Sequence, residues 1–119
     1  MKKTVLIGAS TDPSRYAYKA ANSLVNHGHE LIPLGIRSGK VAGKDIILDK
    51  PDLKGVDTVT LYVGPQNQTG WIDYIINLKP KRILFNPGTE NEELMNKAEK
   101  NNIEVIEGCT LVMLSLGTY

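Results

Sequence analysis

Short apolar runs rich in β-branched residues alternate along the chain with segments whose apolar positions recur at helical spacing. Thr4-Val5-Leu6-Ile7 predicts a strand buried on both faces. The small-residue loop Gly8-Ala9-Ser10-Thr11 follows, and Asp12-Pro13 or Ser14 is expected to open a helix, Asp and Ser being good N-caps. Ala17, Ala20, Ala21, Leu24 and Val25 fall at i, i+3, i+4, i+7 and i+8, one helical face, and Gly28 supplies a stop. Glu30 to Leu34 is a second strand, with Pro33 near its end. Residues 35–57 are irregular, with strand pieces expected at Val41 and Ile46-Ile47-Leu48. A third strand runs from Thr58 to Val63 and is broken by Gly64-Pro65. Trp71, Ile72, Ile75, Ile76 and Leu78 mark a helix ending before Pro80. Arg82 to Phe85 is a fourth strand, turned by Asn86-Pro87-Gly88. Thr89 to Glu92 reads as a capping box opening a helix through Leu94, Met95 and Ala98. Glu104-Val105-Ile106 is a fifth strand, and the apolar tail Leu111 to Leu116 is expected to dock on the body.

This alternation implies an α/β fold: a Rossmann-like, doubly wound, mainly parallel sheet of five strands within three αβα layers, residues 1–119 forming a single domain. The expected strand order is 3-2-1-4-5. Its switch point lies between strands one and four, where ligands bind beyond the carboxyl ends. The Gly8 to Ser14 loop and the Asn86 to Thr89 turn are expected to meet there.

Composition narrows the class. With 41% hydrophobic and 23% charged residues among 119, the chain folds rather than staying disordered. No apolar run reaches the roughly 18 residues of a membrane span. The opening MKKTVLIGAS has an apolar run ending at Ile7, too short for a secretory leader, so a cytoplasmic protein is expected. The single Cys109 excludes an internal disulfide and a multi-cysteine zinc site. Charge is nearly balanced overall but not along the chain. Residues 1–44 carry Lys2, Lys3, Arg15, Lys19, Arg37, Lys40 and Lys44 against only Asp12 and Glu30. That asymmetry suits an anionic partner for the first half and is too mild for a nucleic-acid surface.

The first loop carries the chemistry. Small residues running into a helix let free N–H groups and the positive helix end approach a phosphate. Ser10 and Ser14 add hydroxyls, and Arg15 a permanent planar charge. The alternative is a tight β–α turn that binds nothing. The usual dinucleotide fingerprint is absent, since Ser10 and Pro13 stand where glycines belong. Strand two ends in Leu34-Gly35-Ile36-Arg37, without the acid that holds a free ribose. Arg37, Lys40 and Lys44 suit a ribose phosphate instead, or form a solvated loop. Glu90, Glu92 and Glu93 offset the dipole of the helix after strand four, so Asn86-Pro87-Gly88 is expected to shape a wall rather than hold phosphate.

The stretch GASTDPSRYAYKAANSLVNHGHELIPLG resembles the opening of the stand-alone CoA-binding domain proteins, single-domain relatives of the nucleotide-binding domain in the succinyl-CoA synthetase alpha subunit. The similarity rests on Gly8, Ala9, Ser10, Pro13, Ser14, Arg15, His27, Gly28, Ile32 and Pro33. NPGTENEE and the run from Val105 to Cys109 add weaker matches. The resemblance implies coenzyme A or an acyl-CoA as cofactor. Gly8, Ala9, Ser10, Ser14 and Arg15 would hold its diphosphate, and Arg37 or Lys40 its 3′-phosphate. Gly64 and Pro65 would flank the adenine, and Asn86, Pro87 and Gly88 would line the pantetheine arm. Gly35-Ile36 stands where many members have Asn-Pro, and Gly64-Pro65 where several have Arg-Pro; both changes remove side-chain contacts near the adenosine.

Other residues attract less chemistry. His27 and His29 have no nearby third metal ligand, and His27 is expected to cap helical carbonyls. Cys109 is a buried small hydrophobe or, in the alternative, a thiol near the pantetheine end. Trp71 is expected to pack. Ser10 has no partners for a triad, and no carboxylate pair is placed for acid–base work. The leading reading is therefore a non-catalytic module binding a small nucleotide cofactor, with neither nucleic acid nor membrane as partner. The alternatives are an NADP-linked reductase, an acyl-CoA ligase fragment, or a redox-responsive interaction module using Cys109 whose apolar tail forms a homodimer face.

Overall fold

The computed structural model describes every residue from Met1 to Tyr119. The five expected strands are β1 (Lys3–Ile7), β2 (Glu30–Leu34), β5 (Thr58–Leu61), β6 (Arg82–Phe85) and β7 (Glu104–Glu107), with a small hairpin of β3 (Lys40–Val41) and β4 (Lys44–Asp45) between β2 and β5. The helices are α1 (Tyr16–Asn26), α2 (Ile72–Leu78), α3 (Glu92–Lys100) and α4 (Thr110–Leu116).

All five main strands pair in parallel, in the order β2-β1-β5-β6-β7. The Rossmann-like α/β class is as expected, but the order is not. Counted along the chain, the sheet's strands run 2-1-3-4-5 rather than 3-2-1-4-5. The reason lies in residues 35–57, which contain no helix to carry a crossover outward beyond β2. Instead Ile47 returns to β2 and forms a parallel bridge with Leu34. Its amide donates to Pro33 O at 2.9 Å and its carbonyl accepts from Gly35 N at 3.0 Å. β2 thus becomes an edge strand, the setting in which proline is tolerated. The chain then crosses to the far side of β1, so the switch point lies between β1 and β5.

Alternation along β1 divides the core. Leu6 faces α1 and α4, packing with Ala17, Ala20, Ala21, Leu24, Leu31 and Leu114. Val5 and Ile7 face the other way, packing with Leu61, Ile75, Phe85 and Leu94 beneath α2 and α3. Each fully buried side chain of this kind contributes roughly 1.5–3 kcal/mol. The apolar tail docks as expected, as helix α4 with Leu114 buried and Val112 and Leu116 exposed.

Two helix starts differ from expectation. α1 begins at Tyr16, with Arg15 at the N-cap and no side-chain cap. Asp12 and Ser14 do not cap it; they bond to each other. α3 begins at Glu92 with Asn91 as its cap, whose Oδ1 accepts from Glu93 N and Leu94 N. Thr89 is not the cap, because its hydroxyl donates to Asn86 O at 2.7 Å. At the other end of α1, His27 Nδ1 lies 2.7 Å from Ser23 O and Gly28 takes the left-handed conformation, φ +81°.

Candidate functional site

The carboxyl ends of the strands surround a cleft of about 870 Å³, a size typical of small-molecule sites. Gly8 sets its floor. With φ +99°, and a Cβ there only 2.8 Å from Tyr62 O, the position admits glycine alone without strain. Gly35 does the same for the second loop, where a Cβ would lie 2.9 Å from Ala9 O. The loops after β1, β2 and β5 are therefore in backbone contact.

The Gly8 to Arg15 segment uses part of its hydrogen-bonding capacity on itself. Gly8 N and Ala9 N both donate to Leu34 O at 2.9 Å. Asp12 N donates to Ser10 Oγ at 3.0 Å, Ser14 N and Oγ donate to Asp12 Oδ1 at 3.0 and 2.8 Å, and Arg15 N donates to Asp12 O at 3.0 Å. The amides of Ser10 and Thr11, and of Tyr16, Ala17 and Tyr18 in the first turn of α1, have no protein partner. The unspent donors thus sit one or two residues from where the small-residue motif places them. Ser10, Thr11, Arg15, Tyr16 and Ala17 all line the cleft; Ser14 does not.

Asp12 also lines the cleft, 3.9 Å from Arg15 Nε. The Ser14 amide, then the Ser14 hydroxyl, hold its carboxyl below the usual aspartate range, so it is ionised near neutrality. Ile36 and Arg37 form the second wall, with Ile36 largely exposed. Lys40 does not join them. It forms an ion pair with Asp45 at 2.8 Å across the β3–β4 hairpin.

The third wall follows β5 and comprises Tyr62, Val63, Gly64, Asn67 and Trp71. Burial pushes the Tyr62 phenol far above its usual range, and its hydroxyl is enclosed without a hydrogen-bond partner. Trp71 packs as expected, under the Lys50 ammonium at 5.0 Å and edge-on to Tyr74, and it contributes to the wall as well. Pro65 starts the 3₁₀ turn Pro65–Asn67 and lies outside the lining.

Pro87, Gly88 and Thr89 close the cleft from β6. Asn86 is withdrawn from it. Its Nδ2 donates to Thr60 Oγ1 at 2.7 Å and Leu61 O at 2.8 Å, while its Oδ1 accepts from Thr110 N at 2.9 Å. Both amide protons are spent on β5 and the amide oxygen holds the start of α4, which leaves the side chain no donor to offer a ligand. Half-buried Cys109 precedes α4 and is not part of the lining. No three His, Cys, Asp or Glu side chains are grouped to hold a metal ion, and no helix is long and apolar enough to cross a membrane.

Sequence reasoning placed Thr11 and Thr89 in the two loops expected to meet at the cleft, missed Tyr16, Tyr62 and Asn67, and read Asp12 only as a cap. The third strand was expected to run to Val63, whereas β5 stops at Leu61 and leaves Tyr62 just past its carboxyl end. Nothing local marked Asn67.

Residues 2–115 match a family model described as CoA binding domain. A solved protein described only as uncharacterized is 58% identical, with TM-score 0.97, over 100% of this chain and 98% of its own. A hypothetical protein from Pyrococcus horikoshii OT3 is 25% identical, with TM-score 0.83, over 97% of this chain and 82% of its own. The dinucleotide forming acetyl-coenzyme A synthetase 1 of Ca. Korarchaeum cryptofilum, solved in complex with phosphate and ADP, shares the fold at 20% identity and TM-score 0.67, over 89% of this chain and 25% of its own. No curated protein is similar enough to match.

Proposed function

Since the chain belongs to the CoA binding domain family, we propose that residues 1–119, acting as one domain, bind coenzyme A or an acyl-CoA in the cleft between the ends of β1 and β5 without catalysing its conversion. One observation carries this reading: the amides of Ser10, Thr11 and the first turn of α1 have no protein partner and no side-chain cap, and Ser10, Thr11, Arg15, Tyr16 and Ala17 share the cleft lining. A diphosphate there gains roughly 0.3–2 kcal/mol from the helix end and about 1.5–3 kcal/mol per charged hydrogen bond. Gly8 and Ala9 support this site through backbone geometry, and Ser14 through its grip on Asp12. Gly64 and Ile36 flank the adenosine, and Arg37 takes its 3′-phosphate. Lys40 joins only by leaving Asp45. Pro87 and Gly88 line the pantetheine arm, with Asn86 and Pro65 supporting the walls from behind.

The ionisable groups on the cleft support the non-catalytic part of this proposal. Asp12 is held ionised by Ser14, and the Tyr62 phenol is held neutral by burial, so neither is poised to exchange a proton near pH 7.

Calorimetry with CoA, acetyl-CoA, dephospho-CoA, NADP, NAD and ATP tests the reading. CoA and acetyl-CoA are expected to bind, and dephospho-CoA more weakly through loss of Arg37. A heat signal with NAD or NADP but none with millimolar CoA would overturn it, and turnover of a CoA thioester would overturn the non-catalytic part.

A further inference from the structure

Gln68 is fully buried although it lies in a short polar connection between β5 and α2. Its Nε2 donates to Val63 O at 3.0 Å and to Thr89 O at 2.7 Å. Its Oε1 accepts from Asn91 Nδ2 at 3.1 Å. Asn91 in turn caps α3 through its Oδ1. One primary amide therefore joins two walls of the cleft, the Tyr62 to Gly64 segment and the Pro87 to Thr89 turn, and fastens both to the start of α3. No other side-chain hydrogen bond joins these two loop segments directly. Both donors meet carbonyl oxygens, so the orientation of the amide is fixed by its partners. Both carbonyls belong to residues that line the cleft, whereas Gln68 itself does not.

We infer that Gln68 is the positioning residue that holds the Pro87 to Thr89 turn at the distance from Gly64 that a pantetheine arm requires. This rests on the coenzyme A reading above, and it assigns the length of that arm to a residue the arm never touches. A clasp built from a neutral amide suits the place. A carboxylate would oppose two carbonyl oxygens, and an apolar side chain would leave both of them, and Asn91 Nδ2, unpaired.

Hydrogen exchange and calorimetry on wild type, Gln68→Leu and Gln68→Glu test the assignment. In Gln68→Leu the buried Thr89 amide, bonded to Asn86 O, is expected to exchange at least about tenfold faster, from the loss of the buried hydrogen bond that holds its own carbonyl. The Gly8 and Ala9 amides, bonded to Leu34 O, should stay as protected as in wild type. Unchanged exchange at Thr89 overturns the clasp. Should Gln68→Leu fail to fold, Gln68→Glu decides. Burial between carbonyl oxygens raises the pKa of the introduced carboxyl, and its protonated form can donate to Thr89 O. Its excess exchange over wild type should therefore shrink as pH falls from about 8 to about 5, and a pH-independent excess overturns the hydrogen-bond account. Affinity for CoA should drop about tenfold in Gln68→Leu, while that for adenosine 3′,5′-bisphosphate, which lacks the arm, changes by less than about threefold. Equal losses overturn the role toward the arm. If wild type binds no CoA while the exchange pattern holds, the ligand reading falls and the clasp stands.

Discussion

Two helices begin at the carboxyl end of the same sheet and are finished in opposite ways. α3 closes its own N-terminus: Asn91 accepts from Glu93 N and Leu94 N, Glu92 and Glu93 occupy the first turn, and the preceding turn is closed by Gly88 N donating to Glu90 Oε1 at 3.0 Å. α1 has no side-chain cap, no acid in its first turn and a cation at the N-cap position. By stability alone α1 is the poorer design, since an N-cap is worth about 0.5–2 kcal/mol. The contrast shows where the fold leaves donors unspent. A phosphate at α3 would meet carboxylates and occupied amides, whereas at α1 it would complete the helix.

The largest effect is expected where the open end is built. Gly8→Val places a branched side chain at φ +99° against the Tyr62 carbonyl. Strain of this kind costs about 1–3 kcal/mol from the backbone and a similar amount from overpacking. Thermal unfolding should show a lowered Tm, and a Tm within a degree of wild type would mean that β1 and β5 do not approach as closely as described.

Next comes a substitution that makes α1 resemble α3. Arg15→Asp supplies the missing cap acceptor and removes the cation. Stability should rise by about 0.5–1 kcal/mol while CoA affinity falls by roughly 1.5–3 kcal/mol. These opposite signs distinguish a reserved helix end from a merely neglected one. If both quantities fall together, or neither moves, the comparison loses its meaning.

Much of this contrast was legible in the sequence. The run GASTDPSR marked the loop before α1 as the one with donors to spare, and Glu90, Glu92 and Glu93 marked the α3 end as already offset by acids. What sequence could not supply was the partner of each donor. Gly8 and Ala9 look like free amides until Leu34 O, a residue on another strand, is seen to occupy both. Asn86 looks like a cleft residue until Thr60, Leu61 and Thr110 claim it. Gln68 carried no sequence signal at all; its burial and three partners single it out only in the fold. The strand order failed for a related reason. Helical periodicity records which face of a segment is buried, not which neighbour the next strand chooses, and the helix-free stretch 35–57 carried no such information.

A smaller effect is expected from opening the closed end. Asn91→Ala should cost about 0.5–2 kcal/mol of stability through loss of the α3 cap. It also removes one of the three hydrogen bonds of Gln68 and leaves the two to Val63 O and Thr89 O. CoA affinity should therefore change less than in Arg15→Asp, and less than in Gln68→Leu. An affinity loss as large as that of Arg15→Asp would mean that the two helix ends contribute equally, which the difference in capping does not allow.

The smallest effect sharpens the comparison by pH. Asp12 is the one acid on the open side, and its carboxylate holds the loop by accepting from Ser14 N and Oγ. These bonds favour the ionised form, so its folded pKa lies below the ordinary aspartate value. The contribution of the bonds is therefore complete above the unfolded value of about 3.9 and is lost only as pH falls through the lower folded value. The Ser14 amide resonance should thus hold its position from neutrality down to about pH 5 and move only at more acid pH. A midpoint at or above about 4 would mean that the Asp12 carboxylate is not engaged by Ser14. Asp12→Asn keeps the Oδ1 acceptor while removing the charge, so it should abolish the acid transition and leave the neutral-pH resonance nearly in place. Removing a negative charge from the cleft wall should also raise CoA affinity slightly. If that variant weakened CoA binding instead, Asp12 would matter to the ligand chiefly by tethering Arg15, and the open end of α1 would depend on the orientation of its cation more than on its vacant amides.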